Sequence, residues 1–300
     1  MSQVPPPPPA EVSASAAAAE PWSPSAIELE RRAFRRRQSQ RSVLVALVST
    51  LAFAVIVWAT LINTPGWAAV SETFFDLDYA IEVLPTVLEG LWLNIRVLAV
   101  AVVGVAIFAT LLAVIRTLRG PVFFPLRAVA TVYTDLFRGM PIIIVLYLVG
   151  IGVPALGIFP RVDAAVWGTL ALVLVYSAYV AEVLRAGMES VHPTQRVAAR
   201  SLGLSHAATL RLVVMPQGVR KVTPALMNDF ISMQKDVGLI SILGAVDAVR
   251  AAQIETALTY NYTPYVVAGL LFVLISLPMI RLTDWYTARA QKREQIGGTV

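Results

Sequence analysis

Residues 42–62 form an apolar run that no charged side chain interrupts. At a rise of about 1.5 Å per residue, a helix over this run is long enough to cross the ~30 Å hydrocarbon core of a bilayer. Further apolar stretches follow at 90–115, 141–153, 164–189, 222–244 and 262–285. The pattern predicts an all-α, polytopic membrane protein with about six transmembrane helices. Hydrophobic residues make up 57% of the 300-residue chain and charged residues 14%, proportions foreign to a soluble domain. The chain has no cysteine, which excludes disulfides and thiolate metal sites. Its two histidines, His192 and His206, leave little for a histidine metal centre.

The placement of charge sets the expected topology. Residues 1–41 are a cytoplasmic tail: a Pro- and Ala-rich start that cannot bury a core and is expected to be disordered, then Arg31, Arg32, Arg35, Arg36, Arg37 and Arg41. The basic part reads either as a helix on anionic lipid or as a topogenic cluster, and both put the N-terminus inside. Residues 63–84 carry Glu72, Asp76, Asp78 and Glu82 and no Lys or Arg, as an external segment should. Residues 247–261 read as another external segment. Six spans return the tail, 287–300, with Arg289, Lys292 and Arg293, to the cytoplasm. Arg116 and Arg119 close the second span on the same side, and Arg161 and Arg250 are the loop exceptions. The net charge of +5 is therefore a membrane-topology signal, and no nucleic-acid partner is expected.

Several spans are interrupted. Arg96 lies a turn or two inside the outer end of its span, either as a functional charge or as a side chain snorkelling to the headgroups. Gly139 and Pro141 should bend or break the helix between 122–138 and 141–153. Glu182, Arg185 and Glu189 share one helical face, with Glu182 either a substrate-path residue or half of an ion pair at the inner membrane edge. The span at 222–244 is the most polar. Asp229 and Asp236 are seven residues apart and so lie on nearly one face, with Ser232 between them and Asn228 and Lys235 on an adjacent stripe. Ionisable groups at membrane depth cost about 2.5–3.5 kcal/mol each on insertion scales, and so face a cavity or one another. This helix therefore lines a translocation path or holds a structural ion network.

Between the spans at 164–189 and 222–244 lies a polar loop, 192–218. Thr194 is a candidate N-cap for a short helix carrying Arg196, Val197, Ala198, Ala199, Arg200 and Leu202, with Ala198, Ala199 and Leu202 on one small-residue face. Gly203 suits the left-handed position after such a helix and is followed by Leu204. Ser205 can cap a second short helix, which Pro216 should stop. Such a loop helix either offers its small-residue face to a partner or packs on its own spans. The chain has three lysines, Lys221, Lys235 and Lys292, and none follows a phosphate-binding glycine pattern. No catalytic constellation appears.

The spacing Val197-Ala198-Ala199, Gly203, Val213-Val214-Met215-Pro216 resembles the EAA-x3-G-x9-I-x-LP signature of ABC-importer permeases. Residues 132–152, 178–191 and 215–244 are similar to permeases for polar amino acids of the histidine, glutamine, arginine and opine type. The resemblance covers roughly residues 85–285. It implies a five-helix type I permease domain, 85–286, with 42–62 as an added N-terminal helix and 192–218 as the coupling loop that docks into an ATPase subunit. It further implies a multi-pass bacterial inner-membrane protein with three kinds of partner: ATPase subunits that use ATP and Mg, a second permease copy or paralogue, and an external solute-binding protein. The chain itself would bind no cofactor and catalyse no covalent step. One position departs from the pattern: Val197 stands where the signature has glutamate. There a glutamate could complete a capping box after Thr194 or pair with an arginine of the ATPase; coupling is then expected to rest on Ala198, Ala199 and Leu202 with Arg196 or Arg200. The competing class is an ion-coupled secondary transporter of a small polar solute using Asp229, Lys235 and Asp236. It predicts a paired internal repeat with broken helices in both halves, whereas only one such interrupted span is evident.

Overall fold

The computed structural model describes residues 25–118 and 120–297, with side chains to residue 290. The N-terminal tail to residue 24, Arg119, and the side chains of Lys292 and Arg293 lie outside the described residues. The described residues are helical and contain no strand. Four helices are long and apolar enough to cross a membrane, or six if each of two bent helix pairs counts as one span.

The chain divides into two compact units, Met1–Trp67 and Ala68–Val300. In the first, the basic segment and the first span form one continuous helix, α1 (Ala26–Ile62). Ser25 caps it by accepting a hydrogen bond from the Glu28 N–H, and Asn63 closes its C-terminus.

The second unit begins within α2 (Trp67–Phe74) and continues into α3 (Leu77–Thr117), capped by Asp76. Much of the expected external segment 63–84 is thus helix. The α3 helix runs through Pro85 rather than starting there, because its first turns have a partner: Val83 and Val87 pack with Ala248, Ala252, Val267 and Ala268. Buried positions along α3 recur at helical spacing (Val87, Leu91, Asn94, Val97, Ala101, Val105, Ala109, Leu112). From Val97 on, this stripe packs in one cluster with α7 (Ala164–Glu189), which contributes Ala165, Leu172 and Ala181, and Gly104 of α3 makes room for Val173 of α7. Small residues are what a membrane helix interface selects, since lipid is as apolar as leucine and close backbone approach supplies the attraction.

Between them, α4 (Phe124–Gly139) gives way at Met140–Pro141 to α5 (Ile142–Tyr147), a π-helical stretch Leu148–Gly152 and the short α6 (Val153–Ala155). The axes differ by 109°, so the expected break is a sharp one. Pro141 lacks an N–H for the ladder and forces the residue before it into an extended conformation, which Met140 adopts (φ −96°, ψ 137°).

After the loop, α8 (Pro193–Ser201) and α9 (His206–Thr209), a π-helical stretch Leu210–Val214 runs directly into α10 (Met215–Asp236) and a 3₁₀ helix, Val237–Leu243. Pro216 therefore does not end the helix, contrary to the sequence expectation. It falls in the first turn of α10, where the wider preceding turn has already interrupted the i→i−4 ladder. Gly244, at φ +91°, makes the left-handed stop. Then comes α11 (Ala248–Thr259), bent 49° from its predecessor. Residues 247–261, read as an external segment, are thus largely a packed helix with Ala248, Ala251, Ala252 and Thr256 buried. Last is α12 (Thr263–Gly297).

Two ends of the bundle are tied. At one, the Tyr262 N–H donates to the Thr73 carbonyl at 2.7 Å and the Asp76 N–H to Thr263 Oγ1 at 3.2 Å. At the other, Arg116 meets Glu182 at 2.7 Å and Lys221 Nζ donates to the Ser190 carbonyl at 2.8 Å. Residues 73–76 and 262–263 thus meet at the start of α3, and the ends of α3 and α7 and the start of α10 are joined at the other.

Candidate functional site

The loop between α7 and α10 is closed by local chemistry at each joint. The N-cap of α8 is His192, not Thr194: the imidazole Nδ1 accepts from the Thr194 N–H and lies 2.8 Å from Thr194 Oγ1. Pro193 takes the first helical position, where its missing N–H costs nothing. This shifts the register. Residue 197 lies five positions after the cap, so a glutamate there could not form a capping box, and Val197 forfeits none. At the C-terminus, the Gly203 N–H donates to the Arg200 carbonyl and the Leu204 N–H to the Ala199 carbonyl, a complete Schellman motif with Gly203 at φ +81°. Ser205 Oγ accepts from the Ala208 N–H and caps α9, as its position in the sequence predicts.

The expected small-residue face of α8 is divided. Ala199 is only 5% exposed and points into the protein, whereas Val197 and Leu202 are 65% and 84% exposed. Ala198 and Arg200 are also exposed. Arg196 donates to the Met188 carbonyl at 2.6 Å and so anchors α8 to the end of α7. The root of the loop is a backbone contact: a Cβ on Gly187 would lie 2.8 Å from the Gly218 carbonyl oxygen, and one on Gly218 would lie 2.9 Å from the Gly187 carbonyl group. Only glycine at both places lets α7 and α10 approach this closely.

On α10, Asn228, Ser232 and Lys235 are exposed, while Asp229 and Asp236 are partly buried beside them. A cavity of about 290 Å³ lies between α10, α7 and the α4–α5 break; Asp229, Ser232, Asp236, Tyr176, Tyr179 and Met140 are among its walls. Tyr176 donates to Asp236 Oδ2 at 2.7 Å. Asp229 Oδ2 is buried with no hydrogen-bond partner among the described residues. No Lys or Arg among the described residues lines this cavity, so it is an acidic, tyrosine-walled space one wall of which is the break at Pro141. Three of the six expected path residues line it. Asn228 and Lys235 do not, although both are exposed on the same helix.

Glu182 is elsewhere. Its carboxylate accepts from Arg116 at 2.7 Å and from Arg185 at 2.6 Å, and Arg138 stands 4.0 Å away. Arg185 also pairs with Glu189. Of the two sequence readings, the geometry matches the ion pair, enlarged into a network joining α3, α4 and α7. Arg96 is exposed on α3.

Sequence reasoning missed the tyrosines. Tyr176 and Tyr179, at i and i+3 in an otherwise apolar span, were the available signal. It also missed a buried clamp. Asp247 is fully buried; its carboxylate accepts from Asn94 Nδ2 at 2.9 Å and from the Arg250 N–H at 2.8 Å, while Asn94 Oδ1 accepts from the Ala248 N–H at 3.0 Å. Gly90 makes room, since a Cβ there would stand 2.5 Å from the Asp247 backbone.

Helix order, the α4–α5 break and the capped loop together describe a known class of membrane protein. Residues 121–292 match the family of the binding-protein-dependent transport system inner membrane component, and the chain belongs to that family of ABC-transporter permease subunits. It is 31% identical to the arginine transport system permease protein ArtQ of Bacillus subtilis, over 67% of this chain and 91% of that one. It is 29% identical to the inner membrane amino-acid ABC transporter permease protein YhdY of Escherichia coli, over 82% of this chain and 65% of that protein. Among solved structures, an amino acid ABC transporter crystallised with histidines superposes with a TM-score of 0.64 at 31% identity, covering 71% of this chain and 98% of that one. The chain is thus a multi-pass inner-membrane permease subunit.

Proposed function

We propose that this permease carries a polar amino acid inward through a path lined by α10, driven by ATPase subunits that dock on the 192–218 loop. The observation that carries the reading is the polar side of α10. Asn228, Ser232 and Lys235 are exposed on a helix of membrane length, next to the cavity formed by Asp229, Asp236 and Tyr176. Such a stripe cannot face lipid without a cost of about 2.5–3.5 kcal/mol per charged group. Against a second permease copy or paralogue, it becomes the wall of an aqueous path. The unpaired Asp229 carboxylate then suits the ammonium group of an amino acid, and the names of the relatives support that cargo.

In this reading both termini are cytoplasmic, and a solute-binding protein delivers cargo to the end where Asp76, Glu255 and Asn261 lie. ATP and Mg act in the ATPase, and the chain makes and breaks no covalent bond. ATP-driven closure of the ATPase pair moves α8, and α7 and α10 transmit that movement to the cavity. The test is uptake of radiolabelled polar amino acids into proteoliposomes holding the permease, its ATPase and its binding protein. Uptake should require ATP and all the components. Uptake that persists on a proton or sodium gradient without the ATPase would overturn the reading in favour of an ion-coupled carrier.

A further inference from the structure

Between α8 and the α9 turn lies a cleft of about 690 Å³. One wall is a single stripe of α8, with Arg196, Val197 and Arg200. The other is a single stripe of α9 and the π-helical turn, with His206, Thr209 and Leu210. Every ionisable side chain on its walls is basic. The imbalance extends along the chain: from Ser190 to Asn228 there are five Lys or Arg residues, both histidines, and no Asp or Glu. Arg196 and Lys221 are used in part on the carbonyls of Met188 and Ser190, and Arg200 is exposed. On the inner wall, Thr209 is 5% exposed and its hydroxyl has no partner among the described residues. A buried hydroxyl left unsatisfied costs about 1–3 kcal/mol, and an incoming acceptor would relieve that cost.

We infer that this cleft receives an acidic side chain of the ATPase subunit, with Arg200 as its principal counter-charge and the Thr209 hydroxyl as a hydrogen-bond donor. The inference rests on the proposed coupling role of the loop and goes beyond it by reversing the polarity of the contact. Where the family signature has a glutamate on the permease, this chain has Val197, on the wall of a basic cleft. The carboxylate is then on the ATPase. Val197 and Leu210 supply apolar walls, which shield a charge pair from solvent and strengthen it. An ATPase is favoured over a lipid headgroup because Val197, 65% exposed, and Leu210 stand beside the basic side chains on the cleft walls, a mixed apolar and basic surface of the kind that protein interfaces use.

The test uses the full complex purified with its own ATPase. Arg200→Glu should lower ATPase retention and substrate-stimulated hydrolysis at least tenfold, Arg200→Lys should keep most of both, and Thr209→Val should lower them several-fold. Random mutagenesis of the ATPase in the Arg200→Glu background should yield suppressors that change an Asp or Glu to Lys or Arg. Unchanged retention and stimulation in Arg200→Glu would overturn the inference. So would a loss that is reproduced, with the ATPase still bound, by replacing anionic with zwitterionic lipid, since the ligand would then be a headgroup. Gly203→Val, which distorts α8 whatever its charge, separates the two levels. If it uncouples transport while Arg200→Glu does not, the coupling-loop reading stands and the acidic contact falls. If neither has an effect, both fall.

Discussion

At the scale of single residues, Val197 and Tyr176 carry the sharpest expectations. Because His192 caps α8, a glutamate at 197 cannot reach the start of the helix. It would instead lie one turn from Arg200, where i,i+3 pairing of opposite charges is favourable. Val197→Glu should therefore leave substrate-stimulated ATP hydrolysis unchanged or lower. A large gain would mean that the valine is a defect. Tyr176→Phe removes the donor to Asp236, and leaving that acceptor unpaired should cost about 1–3 kcal/mol, read as a fall in the Tm of the purified complex. Asp229→Asn should reduce uptake at least tenfold while the complex still assembles, because it removes the unpaired charge from the cavity. Residue-level chemistry was legible in the sequence where it is local. Gly203 and Ser205 act through neighbours within five residues, and their roles follow from their own backbone preferences. The cap at the other end was misassigned for an equally local reason: an imidazole can accept a hydrogen bond just as a hydroxyl does, and His192 comes first.

At the scale of elements, the breaks decide the architecture. The bend at Met140–Pro141 was evident from the residues. The passage of α10 through Pro216 was not, because a π-helical turn leaves no compositional mark. The packed helix α11 was hidden for another reason. Hydropathy distinguishes lipid-facing runs from polar ones, but Asp247 is polar and fully buried, and its partner Asn94 lies 153 residues away. Asn94→Leu would strand the Asp247 carboxylate and the Ala248 N–H together. It should cost at least 1–3 kcal/mol, seen as a lower Tm and as early protease cleavage near residue 247. The Gly187–Gly218 contact gives a stricter expectation. A Cβ at either position would meet backbone that cannot rotate away, so Gly218→Ala should destabilise the complex by about 1–3 kcal/mol. Gly203→Ala adds no clash and strains only one turn.

At the scale of the whole molecule, the all-helical, polytopic character was available from the sequence, because the bilayer imposes one length on every crossing; the expected six spans match the described residues if each of two bent helix pairs counts as one. What the sequence lacked was the division of labour inside the bundle: which polar residues pair, as Glu182 does, and which have no partner among the described residues, as Asp229 Oδ2 does. Ala68–Val300 is a compact unit with its own core. A chain lacking residues 1–66 should therefore still assemble with the ATPase and support ATP-dependent uptake, measured in proteoliposomes against the full chain.

The two glycines at the root of the loop act on the chain as a fulcrum. With no side chain between the backbones, α7 and α10 touch directly there, so a tilt of one helix against the other would pivot about that point. Tyr176 lies eleven residues from Gly187 along α7, a lever arm of about 16 Å. A tilt of about 10° started at the loop would shift the cavity wall by roughly 3 Å over that arm, comparable to the width of a water molecule.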